Sequence, residues 1–228
     1  MKKNVMAVLA ASLALGVALA KSGTGGFGGF GPTISMIDFS GLNDALSHQG
    51  FDRLGSMNWG MGGAGYAFVR NVVIGGSGSG GVQIVANDSV RCKVEFGGGQ
   101  FEAGYVLFGN KHLIVAPVLG IGGAGYSITI EPTRGDVPNF DSLLSHPGRK
   151  SEVTCSQIAL VPELMITVPV SFVGAQLKAG YNFMPGAPTW ELSDGGSLNR
   201  GPRVAQGYPF LSLHIIFGGM GRQPESRN

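Results

Sequence analysis

The sequence predicts an all-β fold, an antiparallel up-and-down β-barrel of about eight strands with a short N-terminal helix, and three observations support this prediction. Glycine accounts for 40 of the 228 residues. Gly-Tyr dipeptides at 65–66, 104–105, 125–126, 180–181 and 207–208 lie in or beside runs in which apolar residues alternate with small or polar ones. Charged residues make up only 13% of the chain, about half the proportion usual in soluble domains.

Residues 1–20 predict an export signal. Lys2 and Lys3 form a positive start, the stretch from Val5 to Ala20 has no charge, and its last three residues fit the small-residue rule for cleavage. A membrane anchor is the alternative, but the run is shorter than the about 20 apolar residues of a spanning helix. We therefore expect the mature chain to begin near Lys21.

Removal of this signal makes the chain electrically balanced. Without Lys2 and Lys3 the 16 basic residues become 14, which equals the number of acidic residues. The sequence has no basic face for nucleic acid and no polybasic run for anionic lipid. It therefore argues against a nucleic-acid partner.

Residues 21–58 are expected to form a plug or lid over one end of the barrel. The glycine-rich start, 21–31, reads as flexible, and Thr33 to Ile37 could be a short strand. The stretch from Ser40 to Ser47 predicts a helix with Ser40 as its N-cap and with Leu42, Ala45 and Leu46 on one face.

The barrel domain is predicted to span residues 59–218 and to be followed by a polar tail, 219–228. Alternation predicts strands over 59–70, 72–87, 90–107, 112–131, 152–167, 173–183 and 210–217. Tight turns are expected near 71, 88, 110 and 169, and long loops at 132–150 and 184–206. The count is seven strands, or eight with 33–37.

The stretch 173–183 shows the clearest alternation in the chain. Its apolar set is Val173, Ala175, Leu177, Ala179, Tyr181 and Phe183, which alternates with Gly174, Gln176, Lys178, Gly180 and Asn182. In a membrane barrel the apolar set faces lipid, and inward polar residues such as Gln176, Lys178, Asn182, Glu102 and His214 form the interior. In a soluble barrel the apolar set faces inward.

With these features the region 59–218 resembles small outer-membrane β-barrel proteins of bacteria. The cleavable signal, the strands with one apolar face, the Gly-Tyr pairs and the short turns opposite long loops carry the resemblance. The resemblance implies an outer-membrane location and membrane lipid as a partner. A soluble secreted β-sandwich or lipocalin-like barrel is the alternative fold, with a secreted or periplasmic location.

Cys92 and Cys155 are the only cysteines. Export would permit a disulfide between them, and two buried thiols are the alternative. The strand layout places them on either side of one strand, and two strand spacings are about 9.5 Å, beyond the reach of a disulfide. A bridge would need the intervening strand to end early or the two cysteines to face each other across a sandwich.

Several motifs suggest chemistry but have simpler explanations. The heptapeptides 60–66 and 120–126 both contain G-x-G-x-x-G, yet each continues into a strand, whereas a dinucleotide site needs a helix there. The Arg134-Gly135-Asp136 tripeptide resembles an integrin-binding motif and is expected to be a chance match. The histidines show no metal-ligand spacing, so no metal or cofactor is predicted; they are His48, His112, His146 and His214.

Ser212 and His214 lie two residues apart on one strand, so they share a face and could form the nucleophile and base of a lipid-modifying hydrolase. An interior hydrogen-bonded histidine is the preferred interpretation. Arg91, Lys93 and Glu95 are expected to form an interior or rim charge ladder.

Three functions therefore follow in order of preference. The first is a non-enzymatic outer-membrane barrel with a structural or binding role through its long loops. The second is a secreted soluble β-domain that binds an apolar ligand or self-associates in a surface assembly. The third is a lipid-modifying hydrolase.

Overall fold

The structure is a computed structural model that describes residues 24–110, 112–133, 150–193, 195–198 and 201–220. Its elements in chain order are β1 Thr24–Met36, α1 Ser40–Ser47, β2 Met57–Val69, β3 Val72–Ala86, β4 Val90–Tyr105, β5 Phe108–Gly109, β6 Ile114–Pro132, β7 Ser151–Val170, β8 Val173–Phe183, β9 Trp190–Leu192 and β10 Gly207–Met220. Eight of these are long wall strands; β5 and β9 are short additions to the edges of β6 and β7.

The eight wall strands form a closed antiparallel barrel. Each pairs with the wall strands before and after it in the chain, and β1 pairs with both β2 and β10, which closes the sheet. Gly28, for example, lies opposite Phe217 of β10 and Gly65 of β2. The predicted all-β, up-and-down barrel is confirmed, and the sandwich alternative is wrong because the sheet has no second layer to pack against.

The N-terminal boundary of the barrel differs from the prediction. Residues 24–36 form a complete wall strand, so the barrel begins well before residue 59, and the predicted strand from Thr33 is the end of β1. The glycines of this stretch reflect close strand packing and not flexibility. A Cβ at Gly31 would overlap the main-chain carbonyl oxygen of Leu213 on β10.

Helix α1 is confirmed over Ser40–Ser47, but its cap differs from the prediction. Phe39 occupies the N-cap position, and the Ser40 main-chain N–H donates to Asp38 Oδ1 at 2.8 Å. The buried face contains Leu42, Asn43 and Leu46, while Ala45 is exposed. Asn43 can be buried at low cost because its side-chain amide makes two hydrogen bonds with the main chain of Leu54.

The wall has an apolar outer face and a polar middle layer inside. Along β8 the apolar set points outward, with Leu177 36% exposed, whereas Gln176 is 0% and Lys178 1% exposed. Large apolar side chains cover the outside of the other wall strands too, among them Phe30, Trp59, Met61, Phe101, Ile121, Ile158, Leu213 and Ile215. This is the orientation expected of a lipid-facing barrel and the reverse of a soluble one.

The interior has three layers along the barrel axis. One apolar cluster contains Ile37, Phe39 and Leu46 from the β1–β2 connection together with Val94, Phe96, Tyr126, Ile128, Met184 and Trp190. A second contains Tyr66, Phe68, Val73, Ile114, Val118 and Met165 near the opposite end. Between them lies the polar layer, which we define as Thr33, Ser77, Glu102, Glu163, Gln176, Lys178, Ser212 and His214.

The two ends of the barrel differ in their connections. The loop end has connections 37–56, 87–89, 133–150 and 184–206, whereas the turn end has 70–71, 106–113 and 171–172 together with the start of β1 and the end of β10. The first apolar cluster closes the loop end, where α1 covers the interior as the predicted lid. No helix in the described part of the chain is long and apolar enough to cross a membrane.

Candidate functional site

The polar layer is built around Lys178 of β8. The alternation of β8 turns this side chain inward, where its Nζ lies 2.7 Å from Tyr66 Oη and 2.8 Å from Ser77 Oγ. The same nitrogen lies 2.9 and 3.1 Å from the two carboxylate oxygens of Glu102 and 2.9 Å from Glu163 Oε1. A buried ammonium group needs such partners because transfer of an isolated charge from water is costly.

Glu102 of β4 accepts hydrogen bonds from four side chains. Besides Lys178, the donors are the hydroxyl groups of Tyr66 and Ser77 and the amide of Gln100, whose Nε2 lies 3.0 Å from Oε1. Lys178 comes from β8, and the other three donors come from inward positions on β2, β3 and β4. This arrangement holds a carboxylate in the interior with its acceptor sites occupied.

Glu163 of β7 has a poorer set of partners. Its carboxyl group is buried and forms an ion pair with Lys178, but neither of its oxygens accepts a hydrogen bond of good geometry from the described residues. No sequence motif pointed to Glu163, Tyr66 or Ser77 as members of this cluster. A lone acidic residue between Pro162 and Leu164, within an apolar strand, was the available signal.

The Ser212–His214 pair does not form a catalytic arrangement. Both side chains face inward, as the alternation predicts, but Ser212 Oγ hydrogen-bonds Thr33 Oγ1 at 2.8 Å. His214 is 2% exposed, and neither ring nitrogen has a hydrogen-bond partner among the described residues. The expected hydrogen bond to an interior histidine is therefore not found, and the nucleophile–base contact of a hydrolase is not formed.

A small cavity adjoins this pair within the polar layer. It measures about 30 Å³ and is lined by hydroxyl groups together with Lys178, Asn182 and His214. Since a water molecule needs roughly 10–15 Å³ of such volume, the cavity has room for a few waters. It is far smaller than a site for a drug-sized ligand, which measures about 300–1,000 Å³.

The predicted charge ladder lies on the outer face at the loop end. Inward positions on β4 hold Cys92, Val94 and Phe96, so the intervening charges point outward at the rim and not into the interior. Arg91 lies 3.6 Å from Glu131 on β6, and Lys93 lies 2.7 Å from Glu95. These charges lie on the loop-end part of the outer wall, where Lys93 and Glu95 are the cross-strand neighbours of the exposed Ile84 and Val82.

Cys92 and Cys155 are separate buried thiols in the structure. They flank β6, as the strand layout predicts, but at different heights: Cys92 lies opposite Ile130, whereas Cys155 lies opposite Tyr126. An offset of four residues along β6 adds to the two strand spacings that separate them. The two thiols are therefore too far apart for the geometry of a disulfide.

Both G-x-G-x-x-G segments lie inside strands, β2 and β6, as predicted. Gly63, Gly78, Gly99 and Gly123 are direct cross-strand neighbours and give the outer wall a strip without side chains. The Arg134-Gly135-Asp136 tripeptide, His146 and the predicted signal at 1–20 lie outside the described residues. The part of the chain that the structure describes contains no group of three His, Cys, Asp or Glu side chains that could hold a metal ion.

Comparison with solved structures identifies proteins with the same architecture. The barrel is similar to a major outer membrane protein from Thermus thermophilus, with a TM-score of 0.53 and 10% sequence identity over 86% of this chain and 99% of that one. It is also similar to Ail, the attachment invasion locus protein of Yersinia pestis, in complex with the heparin analogue sucrose octasulfate; the TM-score is 0.50, with 9% identity over 87% and 99% of the two chains. The chain has the fold of a small outer-membrane β-barrel protein. At these identities the likeness concerns the fold alone, and neither a family model nor a curated protein matches the sequence.

Proposed function

We propose that this protein is a non-enzymatic β-barrel of the bacterial outer membrane that presents a binding surface at its loop end. The observation that carries this proposal is the inverted distribution of polarity: apolar side chains cover the outer wall, while Glu102, Glu163 and Lys178 are enclosed within it. In water this arrangement would expose the apolar wall and bury charges. In a bilayer it places apolar side chains against the lipid hydrocarbon. Closure of the barrel also pairs the main-chain N–H and C=O groups of every wall strand.

The closed interior favours a surface role over transport. The apolar clusters at the loop end and the turn end lie on either side of the polar layer. An eight-stranded barrel is just wide enough for side chains to fill. The surface available to a partner is then the loop end, with connections 37–56, 133–150 and 184–206.

The name of one structural neighbour agrees with such a role. Ail is the attachment invasion locus protein of its organism, and adhesion is a function of exposed loops and not of a barrel lumen. Membrane lipid is the partner we propose for the apolar wall. The unformed contact between Ser212 and His214 argues against the hydrolase alternative.

Spin labelling at β8 tests the membrane location. A label at Leu177→Cys should be reached by a lipid-phase relaxant such as oxygen and protected from a water-soluble one. Glu95→Cys, towards the loop end, is the matched control and should show the opposite preference, since its side chain is an exposed carboxylate paired with Lys93. A label at 177 that the water-soluble relaxant reaches would support the secreted soluble alternative.

Labelling of intact cells tests the orientation. Outer-membrane barrels have short periplasmic turns and longer extracellular loops. Asp52→Cys, at the loop end, should therefore react with a membrane-impermeant maleimide, whereas Asn71→Cys, at the turn end, should react only after the membrane is opened. Both positions are exposed, so a reversed pattern would refute the proposed orientation and the proposed site of binding.

A further inference from the structure

The ionisable groups in contact at the centre of the polar layer do not balance. Glu102 and Glu163 supply two carboxyl groups, and Lys178 supplies one ammonium group. The side chains of all three are at most 2% exposed. Two ionised carboxylates beside one cation would leave a net negative charge in the interior, which is costly in a medium of low polarity.

The contact that both carboxyl groups make with Lys178 shows where the imbalance lies. Oε1 of Glu163 lies 2.9 Å from Lys178 Nζ, and the two carboxyl oxygens of Glu102 lie 2.9 and 3.1 Å from the same nitrogen. One ammonium group neutralises one carboxylate, so a proton on the other carboxyl group restores the balance. Like charges at this separation cannot both persist, which is the reason that neighbouring carboxyl groups share protons.

The neighbours of each group decide which one carries the proton. Glu102 faces donors: the ammonium of Lys178, the hydroxyls of Tyr66 and Ser77 and the amide of Gln100. These stabilise its ionised form. Glu163 has only Lys178 beside it, and neither of its oxygens accepts a hydrogen bond of good geometry from the described residues, so it is the better place for a proton.

His214 of β10 is the remaining titratable group that faces this cluster. A charged imidazolium would also restore the balance, but it would need partners for two N–H donors. Neither ring nitrogen has one among the described residues. Of the other strands that face the cluster, β2 contributes Tyr66, which donates to Glu102; β3 contributes the neutral Ser77; and inward residues of β1 and β6 near it, such as Thr33 and Gly122, are uncharged.

We propose that the cluster of Glu102, Glu163 and Lys178 within the polar layer binds one proton, which stays on Glu163 at neutral pH. The cluster of Glu102, Glu163 and Lys178 is then neutral overall. Because apolar clusters lie on both sides of it, the proton exchanges with bulk water only when the barrel opens. This inference rests on the contacts within the polar layer and holds whichever membrane, or none, surrounds the barrel.

The proposal predicts the sign of a pH effect. Unfolded glutamate is ionised at neutral pH, so the folded barrel binds about one proton more than the unfolded chain. Stability must then fall as pH rises through the neutral and alkaline range. Glu163→Gln, which imitates the protonated acid, should remove this dependence.

Infrared spectroscopy of the folded barrel in detergent tests the proposal. Wild type at neutral pH should show the carbonyl stretch of a protonated carboxylic acid, with an isotope shift in heavy water; Glu163→Gln should abolish it, and His214→Asn, the matched control, should retain it. Absence of this band from wild type, or its survival in Glu163→Gln, would overturn the assignment. Should Glu163→Gln not fold, wild type alone decides: unfolding at neutral pH should release about one proton, and no release would refute the proton on Glu163.

Discussion

Lys178 shows how a single residue can determine the stability of the interior. Its Nζ contacts both buried acids. We predict that Lys178→Met lowers the free energy of unfolding by about 3–5 kcal/mol, because breaking one side of a buried ion pair leaves the other charge uncompensated. Urea titration of the barrel in lipid vesicles measures the change.

Lys93→Met is the matched control for that prediction. Lys93 also pairs with a glutamate, at 2.7 Å, but at the exposed rim. Exposed ion pairs contribute about 0–1 kcal/mol, so this variant should remain close to wild type. Equal losses in the two variants would mean that the interior of the barrel is hydrated.

Leu177, the residue before Lys178, points the other way and gives a separate prediction. Leu177→Arg should cost about 2–4 kcal/mol, since an arginine on the lipid face is destabilising near the midplane. Leu177→Ala should cost much less than the about 2–5 kcal/mol of a truncation in a protein core. Unfolding titrations in vesicles measure both variants, and a large loss for the alanine variant would indicate that Leu177 packs inward.

The Asp38 carboxylate makes the stability of the start of α1 depend on pH. The hydrogen bond from the Ser40 main-chain N–H lowers the pKa of the Asp38 carboxyl below its ordinary value of 3.8. Its contribution to the start of α1 is therefore present above that value and lost as pH falls through the lower folded pKa. Hydrogen exchange of the amides of α1 should accelerate over this acidic range in wild type, whereas Asp38→Asn should show no such step.

At the scale of the element, the β2–β3 hairpin shows why glycine is needed within strands. Gly75 lies opposite Tyr66, and a Cβ there would overlap the Gly65 carbonyl oxygen and the Tyr66 ring. Gly75→Ala should cost about 1–3 kcal/mol by overpacking. Gly65→Ala is the matched control on the facing strand: its Cβ would have no heavy atom within 4 Å.

Electrophoresis can compare these two glycine variants, because a folded barrel migrates faster than its heat-unfolded form. The quantity to measure is the fraction of protein that keeps the folded mobility as temperature rises. Gly75→Ala should shift its unfolding to a lower temperature than Gly65→Ala. If the two variants unfolded together, the strand propensity of alanine, and not contact with Tyr66, would explain the effect. The same comparison can be made at Gly31 and Gly122, whose Cβ positions also overlap neighbouring main chain.

For the whole molecule, the three interior layers predict an electrical property. Purified protein in a planar bilayer should show no stable open conductance, because apolar clusters close the polar layer on both sides. Single-channel recording tests this, with a large porin as the positive control. A steady conductance would contradict the proposed closed interior and favour a transport role.

The sequence and the structure agree where alternation is strong and diverge where glycine removes it. In β8 a period of two assigns Leu177 outward and Lys178 inward without further information. In β1 the stretch from Thr24 carries so many glycines that neither face has a pattern, and a wall strand reads as a flexible leader.

The partners within the polar layer could not be predicted for a different reason. Alternation shows that Glu102 and Lys178 face inward, but their contact depends on the stagger of strands that are far apart in sequence. Barrel closure sets that stagger, and no local signal encodes it. Glu163 joins the cluster by the same route, through pairing of β7 with β6 and β8.

The seam between β1 and β10 constrains how the molecule is assembled. These strands are almost the whole length of the described chain apart in sequence, and neither can satisfy its free edge until the other is present. The edge of β1 must therefore stay unpaired until the last strand has formed, and this long-range requirement slows folding. Any product that ends before residue 207 would keep two open edges, on β1 and on β8, and such edges mark incomplete chains for chaperones and proteases.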